Sequence, residues 1–226
     1  MAEYESESAV KFVPKQAIPL ALELYEEFIG DSMEKLVTAS LDFILPIHDG
    51  IGILDAGCGT GAASAAVAAV IRNQSLNNLI TTTGIIDDNA IRNHSPSHFI
   101  VAIDKDDVAL NAYRRRAARE GWQAHAINMD VNALKYDDGT FHLALGNILL
   151  SDLPNDGIDA VQEVHRTLVR GGTAIFNSWK YTPFREAIHT AAKETRPEGI
   201  PLPCADLGKW SNADFLRSIV EKGGFA

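Results

Sequence analysis

The chain has 226 residues, 46% of them hydrophobic and 22% charged, and a formal net charge of −10. That is enough for one globular domain with a sizeable core, and the acidic balance disfavours long contacts with nucleic-acid phosphates. No apolar run reaches membrane-spanning length. The acidic start "MAEYESESAV" resembles neither a secretory signal nor an Arg-rich transit peptide, and two cysteines, Cys58 and Cys204, argue against a disulfide framework and for a reducing, cytoplasmic compartment.

From the N-terminus, Ile18–Ile44 reads as one or two amphipathic helices, carrying Tyr25 and Phe28, that either close a lid over the sheet or pack against one face. Short apolar strands follow, near Gly52–Ala56, Phe99–Asp104, Ala124–Met129, His142–Asn147 and Thr173–Ser178. They alternate with helices near Ala62–Arg72, Asp107–Glu120, Gly157–Val169, Phe184–Thr195 and Asn212–Lys222. Such alternation predicts an α/β fold, a doubly wound parallel sheet with helices on both faces. A single domain over 1–226 is expected, with 1–49 as helical cover and 50–226 as core. The polar, poorly periodic stretch Asn73–Ser97 reads as a surface insertion.

Local signals mark several boundaries. Thr182-Pro183 is a cap followed by proline at a first helical position, and Ser211 with Asp214 three residues later is a capping box. Gly171-Gly172 and Gly223-Gly224 follow helices, where left-handed turns are needed. The basic run Arg114–Arg116 reads as a solvated helix face.

"ILDAGCGTGAAS", Ile53–Ser64, runs from strand through three glycines into a helix. Gly57, Gly59, Gly61 and Ala62 also satisfy the loose dinucleotide pattern, so charge has to arbitrate. In a dinucleotide site, backbone N–H groups and a helix N-terminus meet a pyrophosphate, which the Asp55 carboxylate would repel. S-adenosylmethionine carries no phosphate. An acid at the strand end suits its cations, and the helix N-terminus suits its carboxylate. The next strand ends in Asp104, where an acid could accept from ribose hydroxyls. The alternative is a helix N-cap, which Asp104 or Asp106 could equally supply. The third strand ends near Asp130 and Val131, an acid for an adenine amino group and an apolar residue for its ring.

"ILDAGCGTGAAS", "VAIDKD", "NMDVNAL", "FHLALGNILLSDLP" and "VQEVHRTLVRGGTAIFNSW" together resemble the successive motifs of class I S-adenosylmethionine-dependent methyltransferases, over roughly Ile51–Trp179. More narrowly, "EGW", "LP", "GG…SW" and "EKGGF" resemble small-molecule methyltransferases of fungal secondary metabolism, including the gliotoxin-type dithiol bis-S-methyltransferase. The resemblance implies a Rossmann-like, seven-stranded sheet with the cofactor across the ends of the first strands. Carried over by position, Asp55, Gly57, Gly59 and Gly61, with Ala56 and Cys58 between them, border the methionine part. Asp104 holds ribose with Lys105 beside it, Asp130 and Val131 frame adenine, and Asn147 lines the methyl-donor end. The family continues into a final strand pair where this chain stops at Gly223-Gly224-Phe225-Ala226, so a shortened C-terminus is expected.

The resemblance implies methyl transfer to a small hydrophobic metabolite through oxygen, nitrogen or sulfur, with no nucleic-acid or membrane partner, the chain being a monomer or homodimer. The alternatives are a cofactor-binding protein that does not methylate and, disfavoured by Asp55, a nicotinamide-dependent oxidoreductase. No general base stands out. The "NPPY" signature of amine methylators is replaced by "NILLSDLP", which leaves Asp152 as a loop acid of either catalytic or helix-start use. His125, His142 and His165 read as scaffold, and Cys58 as a small packed side chain in the turn. Histidines are dispersed and cysteines few, so no metal-ligand spacing is present. For the substrate, "NSWKYTPF" places Trp179, Tyr181 and Phe184 beyond the fifth strand, with Tyr25 opposite in the N-terminal segment and Trp210 in a later loop.

Overall fold

A computed structural model of the chain describes residues 29–83, 98–197, 199–200, 202 and 205–226. Tyr25, Phe28 and Cys204 lie outside the described residues, as do most of the N-terminal segment and residues 84–97 of the expected insertion. Helix α1 (Ser32–Leu41) precedes β1 (Gly52–Ala56), α2 (Ala62–Thr83), β2 (Phe99–Asp104), α3 (Asp107–Glu120), β3 (Ala124–Asn128) and β4 (Phe141–Asn147). Two short 3-10 turns, Leu150–Asp152 and Pro154–Gly157, lead to α4 (Ile158–Thr167) and β5 (Leu168–Asn177). After α5 (Pro183–Thr195) and a 3-10 turn at Ala205–Ser211, α6 (Ala213–Lys222) follows.

The strands form one parallel sheet in the order β3-β2-β1-β4-β5. Successive side chains of a strand face opposite sides, and in β1 both sides are buried, with Ile53 on one and Leu54 on the other, as a sheet covered on both faces requires. Ile53 packs with Ile100, Leu143 and Leu145 under Val37 and Leu41 of α1 and Val67 of α2. Leu54 packs with Val101, Ile103 and Ala144 over Ala160 and Val164 of α4. The order turns back at β1: the helix after β1 packs on one face and leads to β2, while α4 packs on the other face and leads from β4 to β5. Ligands of open α/β sheets bind at such a switch point, outside the carboxyl ends of the strands.

Four local expectations need correction. Residues Asn73–Thr83 are not loop but the continuation of α2. Polar Asn, Gln and Ser dilute the apolar periodicity there without breaking the helix, because neither glycine nor proline interrupts it. Helix α4 ends at Thr167, and β5 starts five residues before the expected Thr173. Its pairing jumps from Phe141–Leu168 to Leu143–Thr173, so Val169–Gly172 bulge out, with Gly171 at φ +82°. The glycine pair thus serves a bulge inside a strand. The cap of α6 is Asn212, whose side chain accepts from the Asp214 N–H, while Ser211 donates to the Gly208 carbonyl. The basic run is also no plain solvated face. Arg114 donates to the Ala126 carbonyl at 2.9 Å, and Arg116 pairs with Glu34 and Glu120 and lies 5.2 Å over the Trp122 ring.

The helical assignment of Asn73–Thr83 is testable by Asn73→Pro at an exposed position. Proline would remove one backbone hydrogen bond and clash with the preceding turn, lowering stability by about 3 kcal/mol in urea denaturation. An unchanged midpoint would mean that the segment is not helical.

Candidate cofactor site at the glycine turn

The turn between β1 and α2 places Gly57, Gly59 and Gly61 at φ +66°, +50° and +95°, a region that L side chains rarely adopt. A Cβ on Gly57 would sit 2.4 Å from Leu149 Cδ1, and one on Gly61 would sit 2.8 Å from Trp122. A Cβ on Gly59 would meet nothing within 4 Å. Gly57 and Gly61 are therefore packing requirements, whereas Gly59 borders open space.

Two carboxylate systems, one buried and one partly buried, lock this turn. Asp55, 1% exposed, accepts at Oδ2 from the Ser64 N–H (3.0 Å) and the Ser64 hydroxyl (2.6 Å). Ser64 in turn accepts from the Tyr113 hydroxyl at 2.7 Å, which links β1, the start of α2 and α3. Burial pushes the Asp55 carboxyl up to about 6, with the nearby Asp104 charge adding and the two Ser64 bonds opposing. The second system is Asp104, whose Oδ2 accepts from the Gly59 N–H at 2.8 Å and whose Oδ1 accepts from the Asp106 N–H at 3.0 Å. The helix N-cap considered for either acid belongs to Asp106, which accepts from Val108. Asp55 thus borders a cavity over the turn while one of its oxygens serves the N-terminus of α2.

Other backbone donors of the turn are also engaged internally. Cys58 N–H donates to the Ile103 carbonyl and Gly61 N–H to the Cys58 carbonyl. Cys58 is 5% exposed, and burial pushes its thiol well above the ordinary range, so it stays protonated and unreactive.

Two cavities meet over the turn. One, about 310 Å³, is walled by Ile103, Asp104 and Lys105 after β2, by Met129, Asp130 and Val131 after β3, and by Asn147, Ile148 and Leu149 after β4. Asp152 and Leu153 complete it. The other, about 330 Å³, lies among Ile29–Glu34, Asp55, the turn, Ala62 and Ala63 of α2, and Ala112, Arg115, Arg116 and Arg119 of α3. Met33, Gly57, Gly59 and Asn147 line both. All of the expected cofactor-binding residues except Ala56 and Gly61 therefore stand on a cavity wall, and these two support the turn from behind. Asp130 accepts from Lys105 (2.6 Å) and from the backbone and side chain of Asn132, and the Lys105 bond leads in holding its carboxyl below the usual range. Asn147 donates from Nδ2 to Met33 Sδ at 3.8 Å, while its Oδ1 is buried with no partner among the described residues.

Ile148, Met33 and Arg119 carried no sequence signal, and Arg115 and Arg116 were marked only as part of a basic run. Ile148 has φ +55°, an outlier for a β-branched residue, and it stands where β4 hands over to the cavity wall. Partial desolvation raises the Asp152 carboxyl, opposed by Ser151. Of the expected substrate aromatics, Tyr181 is 56% exposed with its hydroxyl on Glu186, and neither it nor Trp179 lines either cavity. Trp210 is core, edge-on to Phe215. His142 accepts from the Gly52 N–H and His165 packs edge-on against Phe225. Among the described residues no group of His, Cys, Asp and Glu could hold a metal ion, and no helix is long and apolar enough to cross a membrane.

The sheet order and the switch-point cavity define a Rossmann-like α/β core of methyltransferase type. Residues 81–172 match a family described as a methyltransferase domain. A structure of an S-adenosylmethionine-dependent methyltransferase from Aquifex aeolicus superposes with a TM-score of 0.58 at 12% identity, covering 91% of this chain and 89% of that one. A candidate methyltransferase of Bacillus halodurans gives 0.51 at 20% identity, covering 83% and 68%. A protein whose structure is described for conversion of a disulfide bond into a thioacetal group during echinomycin biosynthesis gives 0.54 at 18% identity, covering 81% and 65%. The chain spans about half the length (49%) of the YcgJ protein of Bacillus subtilis, at 13% identity, 62% coverage of this chain and a TM-score of 0.47. Over residues 81–172 the chain is thus similar to a methyltransferase-domain family, and over most of its length it shares the fold of an S-adenosylmethionine-dependent methyltransferase.

The Asp55 environment has a measurable consequence. A buried acid titrating at about 6, against 3.8 in the unfolded chain, favours the fold most when protonated. Its contribution is full below about pH 4 and fades as pH rises to about 6. The stability of wild type minus that of Asp55→Asn should therefore fall by up to about 3 kcal/mol between these pH values. A difference independent of pH would show that Asp55 is not buried against Ser64 as described.

Proposed function

We propose that the protein transfers a methyl group from S-adenosylmethionine to a small-molecule acceptor. The observation that carries this is the donor set of the turn. The Gly59 N–H, which a pyrophosphate would need, points to Asp104, and the Cys58 and Gly61 N–H groups are engaged within the fold. Two carboxylates under a turn with engaged donors oppose a diphosphate and suit a phosphate-free nucleoside that bears cations.

The residues present fit that cofactor. Asp104 would accept from the ribose, Asp130 and Val131 would frame the adenine, and Asn147 would meet the ammonium with its unpartnered Oδ1. When bound, the cofactor supplies a methyl group already activated on a sulfonium. The chain's task is then chiefly to orient and to exclude water, and positioning alone can be worth on the order of 7–11 kcal/mol. Met33, Leu149 and Leu153 give the cavity walls their apolar part, and Asp152, whose carboxyl is raised, is the nearest candidate to take a proton from an acceptor.

The acceptor is proposed to be a small, largely apolar metabolite of secondary metabolism. The narrow sequence resemblance to gliotoxin-type enzymes supports this, as does the fold shared with the echinomycin-pathway protein. Trp179, Tyr181 and Tyr25 carry no part of this proposal. A single domain, with residues 1–49 as cover, is likewise proposed. A cofactor-binding protein that does not methylate is the second possibility, and turnover separates the two.

Calorimetry should show binding of S-adenosylhomocysteine and no heat from NADH. Asp104→Ala should lower the S-adenosylhomocysteine affinity at least about tenfold, since a carboxylate hydrogen bond is lost. Unchanged affinity in a variant that circular dichroism shows to be folded would remove the ribose assignment. Release of S-adenosylhomocysteine from S-adenosylmethionine with metabolite extracts then reports turnover.

A further inference from the structure

The cavity on the α3 side of the turn is distinguished by its charge. Arg115, Arg116 and Arg119 all line it, in a chain with a net charge of −10. Their spacing on α3 puts them along one side of the helix. Arg116 is held in place by Glu34, Glu120 and the Trp122 ring. Arg119 shares the Glu120 carboxylate at 3.0 Å. Arg115 forms no ion pair or hydrogen bond among the described residues. The wall therefore sets three guanidinium groups against Glu34 and Glu120. The other acid of this cavity, Asp55, directs Oδ2 to Ser64 at the start of α2. Ile29 and Met33 supply an apolar side, and Asn147, Gly57 and Gly59 are shared with the cofactor cavity.

We propose that this cavity takes the methyl acceptor by an anionic group, a carboxylate or phosphate held by Arg115 and Arg119. The acceptor's apolar body lies against Ile29 and Met33, which brings its far end to the part of the trough shared with the cofactor. Guanidinium groups pair with such anions through two parallel hydrogen bonds. The chain's overall negative charge repels anions, so a local positive wall is what admits one. This inference rests on the methyltransferase reading for the identity of the acceptor, but the anion site itself is separately testable.

The probes are 4-phenylbutyrate and the matched alcohol 4-phenylbutanol, titrated by NMR into protein saturated with S-adenosylhomocysteine and into protein without it. The carboxylate should bind at least about tenfold more tightly than the alcohol, and Arg115→Gln/Arg119→Gln should erase that preference. Both arginines are exposed, so the double variant keeps the fold. Its S-adenosylhomocysteine affinity should stay within about twofold of wild type. Equal binding of acid and alcohol, or a preference that survives the double variant, overturns the proposal. A large loss of S-adenosylhomocysteine affinity in that variant also overturns it, because the arginines would then hold the cofactor's own carboxylate. If wild type fails to bind S-adenosylhomocysteine, the cofactor assignment falls, while an arginine-dependent preference in the free protein still upholds the anion site.

Discussion

The site depends on two carboxylates that bond backbone amides at the edge of the sheet. Asp104 reaches from the end of β2 to the Gly59 N–H, and Asp55 reaches from β1 to the Ser64 N–H and hydroxyl. Each bond crosses from one element to another, so the turn's position relative to β2 and α2 is set by charge-assisted bonds rather than by packing alone. Tyr113 extends the Asp55 system into α3, with its ring against Trp122 and its hydroxyl on Ser64. Removing one member would leave buried polar groups unsatisfied, which costs more than the bond itself contributes. A turn with three left-handed glycines has the least intrinsic preference for one shape, and these bonds select it.

That selection also decides which ligands the turn can serve. A loop that cradles phosphates presents several free N–H groups to one anion. Here the Gly59 donor is turned towards a carboxylate, and carboxylates lie under both strands that frame the turn. The Lys105–Asp130 pair adds a charge-neutral rim to the cavity at the ends of β2 and β3. On the other side of the same turn, the arginines of α3 create a positive wall. The trough therefore runs from a carboxylate-lined end to a guanidinium-lined end, a polarity matched by a cationic nucleoside at one end and an anionic acceptor at the other.

Much of this was legible in the sequence, for specific reasons. Strands β1 and β2 have the expected boundaries because each is a short apolar run ended by a turn residue or an acid. The register that brings Asp55, Asp104 and Asp130 to one sheet edge follows from parallel strands joined by helices. The C-terminal part of α2 was missed because Asn, Gln and Ser look like a loop in isolation, while a helix already nucleated continues through them. The start of β5 was missed because a glycine pair marks a helix end and a bulge with the same letters. The partners of the arginines were not legible at all. Glu34 lies 82 residues from Arg116 along the chain and Ala126 sits in the following strand, and a charge run gives no sign of which guanidinium groups will find a carboxylate and which will face a cavity. For Trp179 and Tyr181 the limit is related: position after a strand end places a residue near the site without fixing which way it turns.

Asp104 unites the structural and the ligand-binding reading, which the sequence had set against each other. A carboxylate offers about four acceptor positions on its two oxygens. Gly59 and Asp106 take one on each, and Asp104 still borders the cofactor cavity with the residue only partly buried. The two remaining positions are the number that the two hydroxyls of a ribose require. The backbone bonds fix the carboxylate's orientation before any ligand arrives, so little ordering of that side chain is left to be done on binding. The choice between cap and ligand acid need not be exclusive: Asp106 caps α3, which leaves Asp104 to hold the turn through one set of acceptor positions with the rest facing the cavity.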